Sequence, residues 1–539
     1  MAAWPRSYPA HRQIYLVQPK FPPSYWGMEH FIKLTPFRAV FPPLGLLTLS
    51  ALTPDDFHVT LCDENAGERV NYDTEAQLVG LTGYLNQRLR VYAHADRFRA
   101  RGKTVVIGGP IAHLMPEEAR PHCDVLFQGE AEYLWPQFLR EFAAGKHADH
   151  YHQEEKIHLP DSPPPRLDLL KRRYAHGIIQ CTRGCPFTCE FCDIIVMYGR
   201  KMRVKPPEQV LREIKAWQAQ GASTVFFADD NFIGNRAYTK ELLREIIRWN
   251  ARQRHAMTFY TQVSIDLVRD AELLELLRDA NFVGLFIGIE SPRKASLAET
   301  HKTQNLKVDL VRAVHKIQSY GLFIYAGMIV GFDNDDPSIF EEQYTFLQEA
   351  QIPIVMPGVL TAVPKTPLHQ RLAAVGRLRR EETDAFGLMT NGETNFYPLR
   401  MTLEELRRGQ ETLYRRLYAP EAFRERLLGN LYRFTNVRYR PERIRWSYLP
   451  TFFRLIGHYW KKGRAARRFF WSILWKTLRH SPRSFRPMLT LLGMYKHCCE
   501  VNGAALNWDP WAATELPRFP AAPAPAEEPA PAVPEPVAL

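Results

Sequence analysis

Three cysteines in one short stretch carry the clearest chemical signal in the sequence. Cys185, Cys189 and Cys192 are spaced C-x3-C-x2-C. Three thiolates on one tight loop can hold three irons of a 4Fe–4S cluster and leave the fourth iron open for a ligand. Soft sulfur ligands of this kind select iron–sulfur clusters or zinc. We expect an iron–sulfur cluster at these three residues.

A structural zinc loop is the alternative use of such cysteines. It needs four ligands to complete a tetrahedron, usually from C-x2-C pairs. Cys62, Cys123 and the adjacent Cys498 and Cys499 supply no second pair. Cys181 lies four residues upstream of the motif at a spacing that fits no ligand position. We interpret it as a buried strand residue.

Residues 12–150 alternate short apolar strands with helical stretches, a pattern typical of a doubly wound α/β domain with a parallel sheet. Ligands on such sheets bind at the carboxyl ends of the strands. Glycines there allow a large flat ligand to approach the backbone. The candidate ligand contacts at these ends are Asn65, Gly83, Gly108, Gly109, Gly129 and Glu130. A general nucleotide site would look similar, although no G-x-G-x-x-G motif is present.

A proline-rich linker at residues 151–170 leads to a second α/β region at residues 171–395. This region repeats a strand and an amphipathic helix six times, which predicts a partial (β/α)6 barrel. The strands are predicted at 177–180, 224–228, 258–263, 284–289, 323–330 and 354–362. Functional residues of parallel barrels lie at the carboxyl ends of the strands.

Polar side chains stand at three of these strand ends. They are Asp229, Asp230 and Asn231 at the second strand, Gln262 and Ser264 at the third, and Glu290 at the fourth. We expect ligand contacts here, since a carboxylate such as that of Glu290 is rarely buried unpaired. Helix capping is the alternative for Asn231 and Ser264, because Asn and Ser are common caps. Of the first three residues, we place Asp230 nearer the ligand and Asn231 nearer the cap.

These motifs together resemble the radical S-adenosylmethionine (SAM) superfamily. The resemblance rests on C-x3-C-x-aromatic-C at 185–192, D-D-N-F at 229–232 and V-P-K-T-P-L at 363–368. It implies that the open iron chelates the amino and carboxylate groups of SAM. It also implies SAM contacts: Phe191 at the adenine and Asp229, Asp230 and Asn231 at the ammonium. The polar strand-end side chains of Gln262 and Ser264 indicate the ribose, and Glu290 a ligand hydroxyl or a nearby cation. Arg203, in the basic stretch after the cysteines, is expected at the SAM carboxylate, with cobalamin amides and phosphate, or only solvent, as the alternatives.

The first domain resembles the cobalamin-binding domain of class B radical SAM enzymes. The matching motifs are F-P-P-L-G-L-L at 41–47, D-E-N at 63–65 and G-G-P at 108–110. The resemblance implies that Asn65, the strand-end glycines and Glu130 contact cobalamin. The D-x-H-x-x-G motif that supplies an axial histidine is absent, and we interpret D-x-H at 56–58 as a chance match. We therefore expect no histidine ligand on cobalt.

Residues 396–510 are expected to form a helical domain, and the Pro- and Ala-rich residues 511–539 a disordered tail. Aromatic residues interleave with Lys and Arg between 450 and 480, and residues 461–480 contain no acid. Such helices lie on anionic membrane surfaces. RNA binding and a packed helical lid with a solvated basic face are the alternatives. The net charge of +12 also favours an anionic partner.

The 539 residues show no signal peptide and no apolar run of the roughly 18 residues that a membrane helix needs. Scarce cysteine argues against a secreted disulfide scaffold. We expect a cytoplasmic enzyme that touches the inner face of the membrane through residues 450–480. Its expected partners are a small hydrophobic substrate and a reductase, flavodoxin or ferredoxin as electron donor. Nucleic acid is not an expected partner.

The resemblance is greatest to the group of cobalamin-dependent radical SAM enzymes that includes the hopanoid C-2 methylase. It implies C-methylation of an unactivated carbon in a hydrophobic or lipid-like substrate. One SAM methylates cob(I)alamin, and a second SAM yields the 5′-deoxyadenosyl radical. The alternatives are a tetrapyrrole-type cobalamin cyclase or rearrangement enzyme, a tRNA-modifying enzyme, and a non-catalytic RNA- or membrane-binding protein with a structural metal loop. The sequence identifies no catalytic side chain.

Overall fold

The computed structural model describes residues 9–379, 393–440, 446–506, 508–512 and 517–519. Most of the expected tail at 511–539 and residues 380–392 of the expected barrel region lie outside the described residues. The first domain is a parallel sheet of six strands in the order β2-β1-β3-β4-β5-β6. Its strands are β1 (Gln13–Gln18), β2 (His58–Asp63), β3 (Leu78–Thr82), β4 (Thr104–Gly108), β5 (Val125–Gly129) and β6 (His150–Gln153). Its helices are α1 (Glu29–Ile32), α2 (Leu44–Ala51), α3 (Arg88–Arg99), α4 (Pro110–Leu114), α5 (Pro116–Ala119) and α6 (Leu134–Ala143).

The sixth strand corrects the expected domain boundary. His150–Gln153 pairs with β5, so the sheet extends into the stretch interpreted as a linker. The rest of that stretch is packed against the protein: Ile157 and Leu159 are buried, and the Gln209 amide donates to the Ser162 carbonyl at 2.7 Å. A strand of four polar or aromatic residues offers no apolar run that would reveal it.

The second region forms a partial barrel of six parallel strands in the order β14-β13-β12-β11-β10-β7. The expected fold class and all six predicted barrel strands are confirmed, with ends shifted by a few residues. An additional antiparallel pair, β8 and β9, was not predicted. The strands are β7 (Gly177–Ile179), β8 (Thr182–Arg183), β9 (Arg203–Val204), β10 (Thr224–Phe227), β11 (Thr258–Val263), β12 (Phe282–Glu290), β13 (Phe323–Val330) and β14 (Ile354–Val359).

Nine helices of the second region follow or connect these strands in the described residues. They are α7 (Ile194–Met197), α8 (Pro207–Ala219), α9 (Arg236–Ala251), α10 (Ala271–Asp279), α11 (Lys294–Glu299), α12 (Thr303–Leu306), α13 (Leu310–Ser319), α14 (Ile339–Ala350) and α15 (Pro367–Ala374). Side chains cap several of them. Asp309 accepts the Arg312 N–H at the start of α13, and Gly321, at φ 80°, follows its end.

The third region is helical, as predicted, and it closes the open side of the barrel. Its helices are α16 (Leu403–Leu417), α17 (Pro420–Tyr432), α18 (Leu449–Lys461), α19 (Arg464–His480) and α20 (Phe485–Leu506). Helices α16 and α20 pack on β14. At the other edge, Ala39 pairs with Tyr174 just ahead of β7. Among the helices that the structure describes, none is long and apolar enough to cross a membrane.

Candidate active site

The cysteine loop runs between the short strands β8 and β9. Gly184 opens the loop with φ 97°, and a Cβ at this position would lie 2.7 Å from the Lys201 carbonyl oxygen. Glycine therefore lets the two ends of the loop approach each other. The Cys185 N–H donates to the Gly199 carbonyl at 3.3 Å, which closes the loop across its base. Cys189 is buried, whereas Cys185 and Cys192 are half-buried.

The arrangement of these thiols suits a cluster. In the described residues, no three His, Cys, Asp or Glu side chains converge as ligands of a single metal ion. The thiolates of a cluster each bind a different iron. The Gln304 amide donates to the Cys189 sulfur at 3.5 Å, a contact that would also stabilise a bound thiolate. The chemistry of the donor set therefore fits a 4Fe–4S cluster.

Cys181 and Asp229 anchor the start of the loop. Cys181 is fully buried directly after β7, and its thiol donates to the Asp229 carboxylate at 3.2 Å. The other Asp229 oxygen accepts the N–H of Cys181 at 3.0 Å and the N–H of Thr182. Cys181 is thus buried, as predicted, although it lies just beyond the strand. Asp229 was expected at the SAM ammonium, but its carboxylate is turned to the loop backbone instead.

Asp230 and Asn231, the next two residues, make different contacts. Asp230 is half-buried, and its carboxylate accepts the Gly184 N–H at 3.0 Å. Burial raises the pKa of Asp230 to about 7, and the Asp229 charge adds to the shift. Asn231 instead exchanges hydrogen bonds with Ser264 at 3.1 and 3.3 Å and ties the ends of β10 and β11 together. Asn235 caps α9, so the cap expected at Asn231 is wrong.

Glu290 and Lys302 form a buried ion pair beside the loop. The Lys302 ammonium lies 2.6 Å from the Glu290 carboxylate and 5.7 Å from the Phe191 ring centre. Burial lowers the pKa of Lys302, but the charges of Glu290 and Cys189 outweigh it and raise that pKa above its ordinary value. The cation expected near Glu290 is thus Lys302. Sequence reasoning missed this residue, because its connecting loop carries no motif.

Glu130 links the first domain to the cysteine loop. Its buried carboxylate accepts hydrogen bonds from Arg203 at 2.8 and 2.9 Å and from Arg183 at 2.8 Å. Arg183 also pairs with Glu132 at 2.7 Å. The sequence assigned Arg203 to SAM and Glu130 to cobalamin. The structure pairs the two with each other, since each satisfies the charge of the other where water is excluded.

The carboxyl ends of the first sheet face the cysteine loop. Leu85 and Leu114, which follow β3 and β4, share one apolar cluster with Met197 of α7. Gly109 and Gly129 have φ values of 81° and 83°. Side chains there would collide with the Thr82 hydroxyl and with the Gln153 carbonyl, so the turns themselves require glycine.

The remaining first-domain candidates occupy the same edge of the sheet. Gly83 and Gly108 lie at the ends of β3 and β4. Asn65 braces the loop after β1: its amide donates to the Pro19 carbonyl at 3.3 Å and its oxygen accepts the Phe21 N–H at 2.9 Å. His58 begins β2 and therefore lies at the opposite edge of the sheet.

Tyr84 directly follows Gly83 at the end of β3. Its side chain is 54% exposed, yet burial raises its pKa to about 12, and the charges of Asp193 and Asp230 add to the shift. Sequence reasoning missed Tyr84, although an aromatic residue directly after Gly83 at a strand end was a usable signal.

Two family profiles match the chain in succession. The radical SAM superfamily profile covers residues 179–347, which contain the cysteine loop and most of the barrel. A domain of unknown function, DUF4070, covers residues 366–507.

Two relatives and one solved structure match most of the chain. The uncharacterized methyltransferase sll1242 of Synechocystis sp. is 34% identical and covers 89% of this chain and 90% of its own length. The hopanoid C-2 methylase of Rhodopseudomonas palustris is 33% identical and covers 69% of this chain and 72% of its own. The structure of OxsB, a cobalamin-dependent SAM radical enzyme with aqua-cobalamin and SAM bound, has a TM-score of 0.60 at 16% identity, and covers 92% of this chain and 80% of its own.

Proposed function

Because this chain belongs to the radical SAM methyltransferase family that includes the hopanoid C-2 methylase, we propose that it is a cobalamin-dependent C-methyltransferase. One observation carries the proposal. The carboxyl ends of the first parallel sheet face the three-cysteine loop of the barrel, and Glu130 binds the arginines at both ends of that loop. Two sites that supply a radical and a methyl group must face one substrate carbon in this way.

The cofactors would lie between the carboxyl ends of the first sheet and the cysteine loop, which face each other. When bound, a 4Fe–4S cluster with SAM supplies a carbon-centred radical, and cobalamin supplies a methyl group. Cys185, Cys189 and Cys192 would hold the cluster. On the other face, Asn65, Gly83, Gly108, Gly109 and Gly129 would lie against cobalamin. The fold shared with OxsB, whose structure contains aqua-cobalamin, supports this assignment.

The chain's own side chains bind SAM and exclude water. Asp230, the half-buried acid of the D-D-N-F motif, would accept a hydrogen bond from the SAM ammonium. Glu290 and Lys302 present a carboxylate and a cation beside Phe191, which would cover the adenine. Gln262, half-buried at the end of β11, would reach the ribose. Asn231 and Ser264 position these groups by holding β10 and β11 together.

The substrate in this proposal is a hydrophobic, lipid-like molecule, as for the hopanoid C-2 methylase. Helices α18 and α19 would bring the enzyme to such a substrate at an anionic membrane surface. They expose Phe453, Trp460, Trp471 and Trp475 among basic residues. A cavity of about 390 Å³ beside α18 is lined by Lys33, Arg38 and Arg454 and suits an anionic headgroup. The electron donor in this scheme is a flavodoxin, a ferredoxin or a reductase.

An anaerobic assay tests the proposed reaction. The reconstituted protein receives hydroxocobalamin, SAM, a strong reductant and a cell-lipid extract, and the SAM products are followed by mass spectrometry. S-adenosylhomocysteine reports methyl transfer from SAM, and 5′-deoxyadenosine reports the radical step. We expect both products, together with a lipid whose mass increases by one methylene unit. 5′-Deoxyadenosine without S-adenosylhomocysteine would favour a cyclase or rearrangement instead.

A further inference from the structure

Aromatic side chains line the inner face of the barrel. Phe226 of β10 stacks on Tyr260 of β11 with ring centres 4.8 Å apart. Phe41 lies 5.1 Å from Phe226, and Trp26 lies 4.8 Å from Phe286 of β12. Residues that precede the barrel in the chain therefore complete its apolar wall. We call this space the barrel chamber.

One end of the barrel chamber is polar. His176 immediately precedes β7, and its Nδ1 shares a short hydrogen bond with the Tyr260 hydroxyl. The Tyr325 ring, from β13, packs against the backbone of Gly284. A Cβ atom added to Gly284 would lie 2.6 Å from that ring. Because Gly284 pairs with Tyr260 in the next strand, this glycine lets the Tyr325 ring extend toward Tyr260. Both tyrosines are only half-buried, unlike the fully packed residues that usually fill a parallel barrel.

Tyr439 adds a third hydroxyl from outside the barrel. It belongs to residues 433–440, which close the barrel at the amino ends of the strands. There the Arg440 N–H donates to Asn281 at 3.1 Å, and Phe434 packs 4.9 Å from Phe323. Tyr439 is only 8% exposed, and its hydroxyl has no hydrogen-bond partner among the described residues. A buried hydroxyl of this kind destabilises a fold unless a ligand or a bound water satisfies it.

The polar groups at this end are uncharged at neutral pH. Burial lowers the pKa of His176 to about 4, and the charge of Arg486 adds to the shift. Burial raises the pKa values of Tyr260, Tyr325 and Tyr439 far above neutrality, and Tyr325 raises those of the other two further. A neutral oxygen would meet hydroxyl donors in this group, and a ligand of this kind needs no charged partner.

We propose that His176, Tyr260, Tyr325 and Tyr439 bind an uncharged hydroxyl or carbonyl oxygen of an otherwise apolar substrate. This site deepens the proposed function and rests on it for the reaction. The aromatic wall holds the carbon skeleton, and the polar end fixes its position along the barrel. The distance from that oxygen to the cysteine loop then decides which carbon is methylated. The four residues determine position and specificity and take no part in the chemistry.

A pair of probes with one carbon skeleton tests the site. The reconstituted protein, with cluster and cobalamin, is equilibrated with a hopanoid alcohol or with the matching hopanoid hydrocarbon. Retained probe is measured by mass spectrometry. We expect the wild type to bind the alcohol about five- to tenfold more tightly, as one hydrogen bond predicts. Tyr325→Phe and Tyr439→Phe should bind both probes about equally. Tyr432→Phe, at an exposed position on α17, should keep the wild-type preference.

A stability measurement separates this site from a purely structural role. Tyr439→Phe removes an unpaired hydroxyl, so it should unfold at the wild-type temperature or above while it loses the alcohol preference. A lower unfolding temperature would show that the hydroxyl has a protein partner and would overturn the proposal. Equal binding of both probes by the wild type, or binding of neither, would also overturn it.

The same preparation tests the proposed function independently. S-adenosylhomocysteine formed without added substrate reports methyl transfer alone. If it forms while the alcohol preference is absent, the polar site is wrong and the proposed function stands. If it does not form while the preference is present, the proposed reaction is wrong and the binding site stands.

Discussion

Arg203 and Glu130 are joined by two hydrogen bonds of 2.8 and 2.9 Å, although they belong to different domains. Arg203 begins β9 directly after the cysteine loop, and Glu130 follows β5 at the carboxyl end of the first sheet. Arg183, in β8 directly before the loop, donates to the same carboxylate at 2.8 Å. One carboxylate thus fixes both ends of the cysteine loop against the first domain.

Glu130→Gln should destabilise the protein strongly. The substitution leaves the largely buried Arg203 guanidinium without its carboxylate and leaves Arg183 with Glu132 alone, and breaking a buried ion pair costs about 3 kcal/mol or more. Urea denaturation measures the free energy of unfolding. Asp168→Asn is the matched control, because Asp168 pairs with Arg166 at an exposed site and should change stability by less than about 1 kcal/mol. A similar decrease in the free energy of unfolding in the two variants would contradict a special role for Glu130.

The stability contributed by Glu130 should depend on pH. Burial raises its pKa, but the hydrogen bonds from Arg203 and the charge of Arg183 outweigh burial and hold it below the ordinary value of 4.5. A carboxyl with a lowered folded pKa stabilises fully above its unfolded pKa and loses that contribution as pH falls. The difference in urea midpoint between wild type and Glu130→Gln should therefore stay constant from pH 7 to about pH 5 and shrink as the pH falls below 4.5 in the cluster-free proteins. A difference in urea midpoint that becomes larger as the pH falls would contradict the lowered pKa of Glu130.

Cysteine substitutions should separate the cluster ligands from Cys181. Cys189→Ser removes a soft ligand and should abolish most cluster iron and sulfide after reconstitution. Cys181→Ser should keep the wild-type iron content, since a serine hydroxyl can donate to Asp229 as the thiol does. Iron and sulfide analysis of the two purified variants gives the result. An equal loss of iron and sulfide from both variants would show that Cys181 is also a cluster ligand.

Lys302→Ala should weaken SAM binding. It removes the cation beside Phe191 and leaves the Glu290 carboxylate buried without its partner. Loss of a charged hydrogen bond predicts an increase in Kd of about ten- to a hundredfold. Equilibrium dialysis with labelled SAM measures this, with Lys307→Ala at an exposed position as control. An unchanged Kd in Lys302→Ala would remove Lys302 from the SAM site.

The exposed aromatic residues of α18 should govern membrane binding. Phe453→Ser and Trp460→Ser remove side chains that are 64% and 57% exposed, so the fold should be unaffected. We expect the double variant to sediment several-fold less with phosphatidylglycerol vesicles, while Tyr432→Ser behaves as wild type. Added salt should weaken wild-type binding through screening. Equal binding to phosphatidylcholine vesicles would rule out recognition of anionic lipid.

The cysteine loop and the barrel strands could be predicted because their signals are local. The spacing of Cys185, Cys189 and Cys192 and the apolar runs of the strands need no knowledge of distant contacts. Lys302 and the partners of Glu130 could not be found this way. Lys302 forms an ion pair with Glu290 only because of the path that its connecting loop takes. Glu130 bonds to Arg203 across the boundary between two domains. Motif position alone also does not show that the Asp229 carboxylate accepts hydrogen bonds from Cys181 and Thr182, and its contact with SAM stays a prediction.

A single hydrophobic core extends through all three regions of the chain. It includes Ile14 of the first sheet, Phe259 of the barrel and Tyr495 of α20. Protein engineers often treat multidomain enzymes as interchangeable modules. Here an exchanged first domain would also need to supply Trp26 and Phe41, which complete the wall of the barrel chamber. Chimeras should therefore work only when residues 20–41 come from the same parent as the barrel.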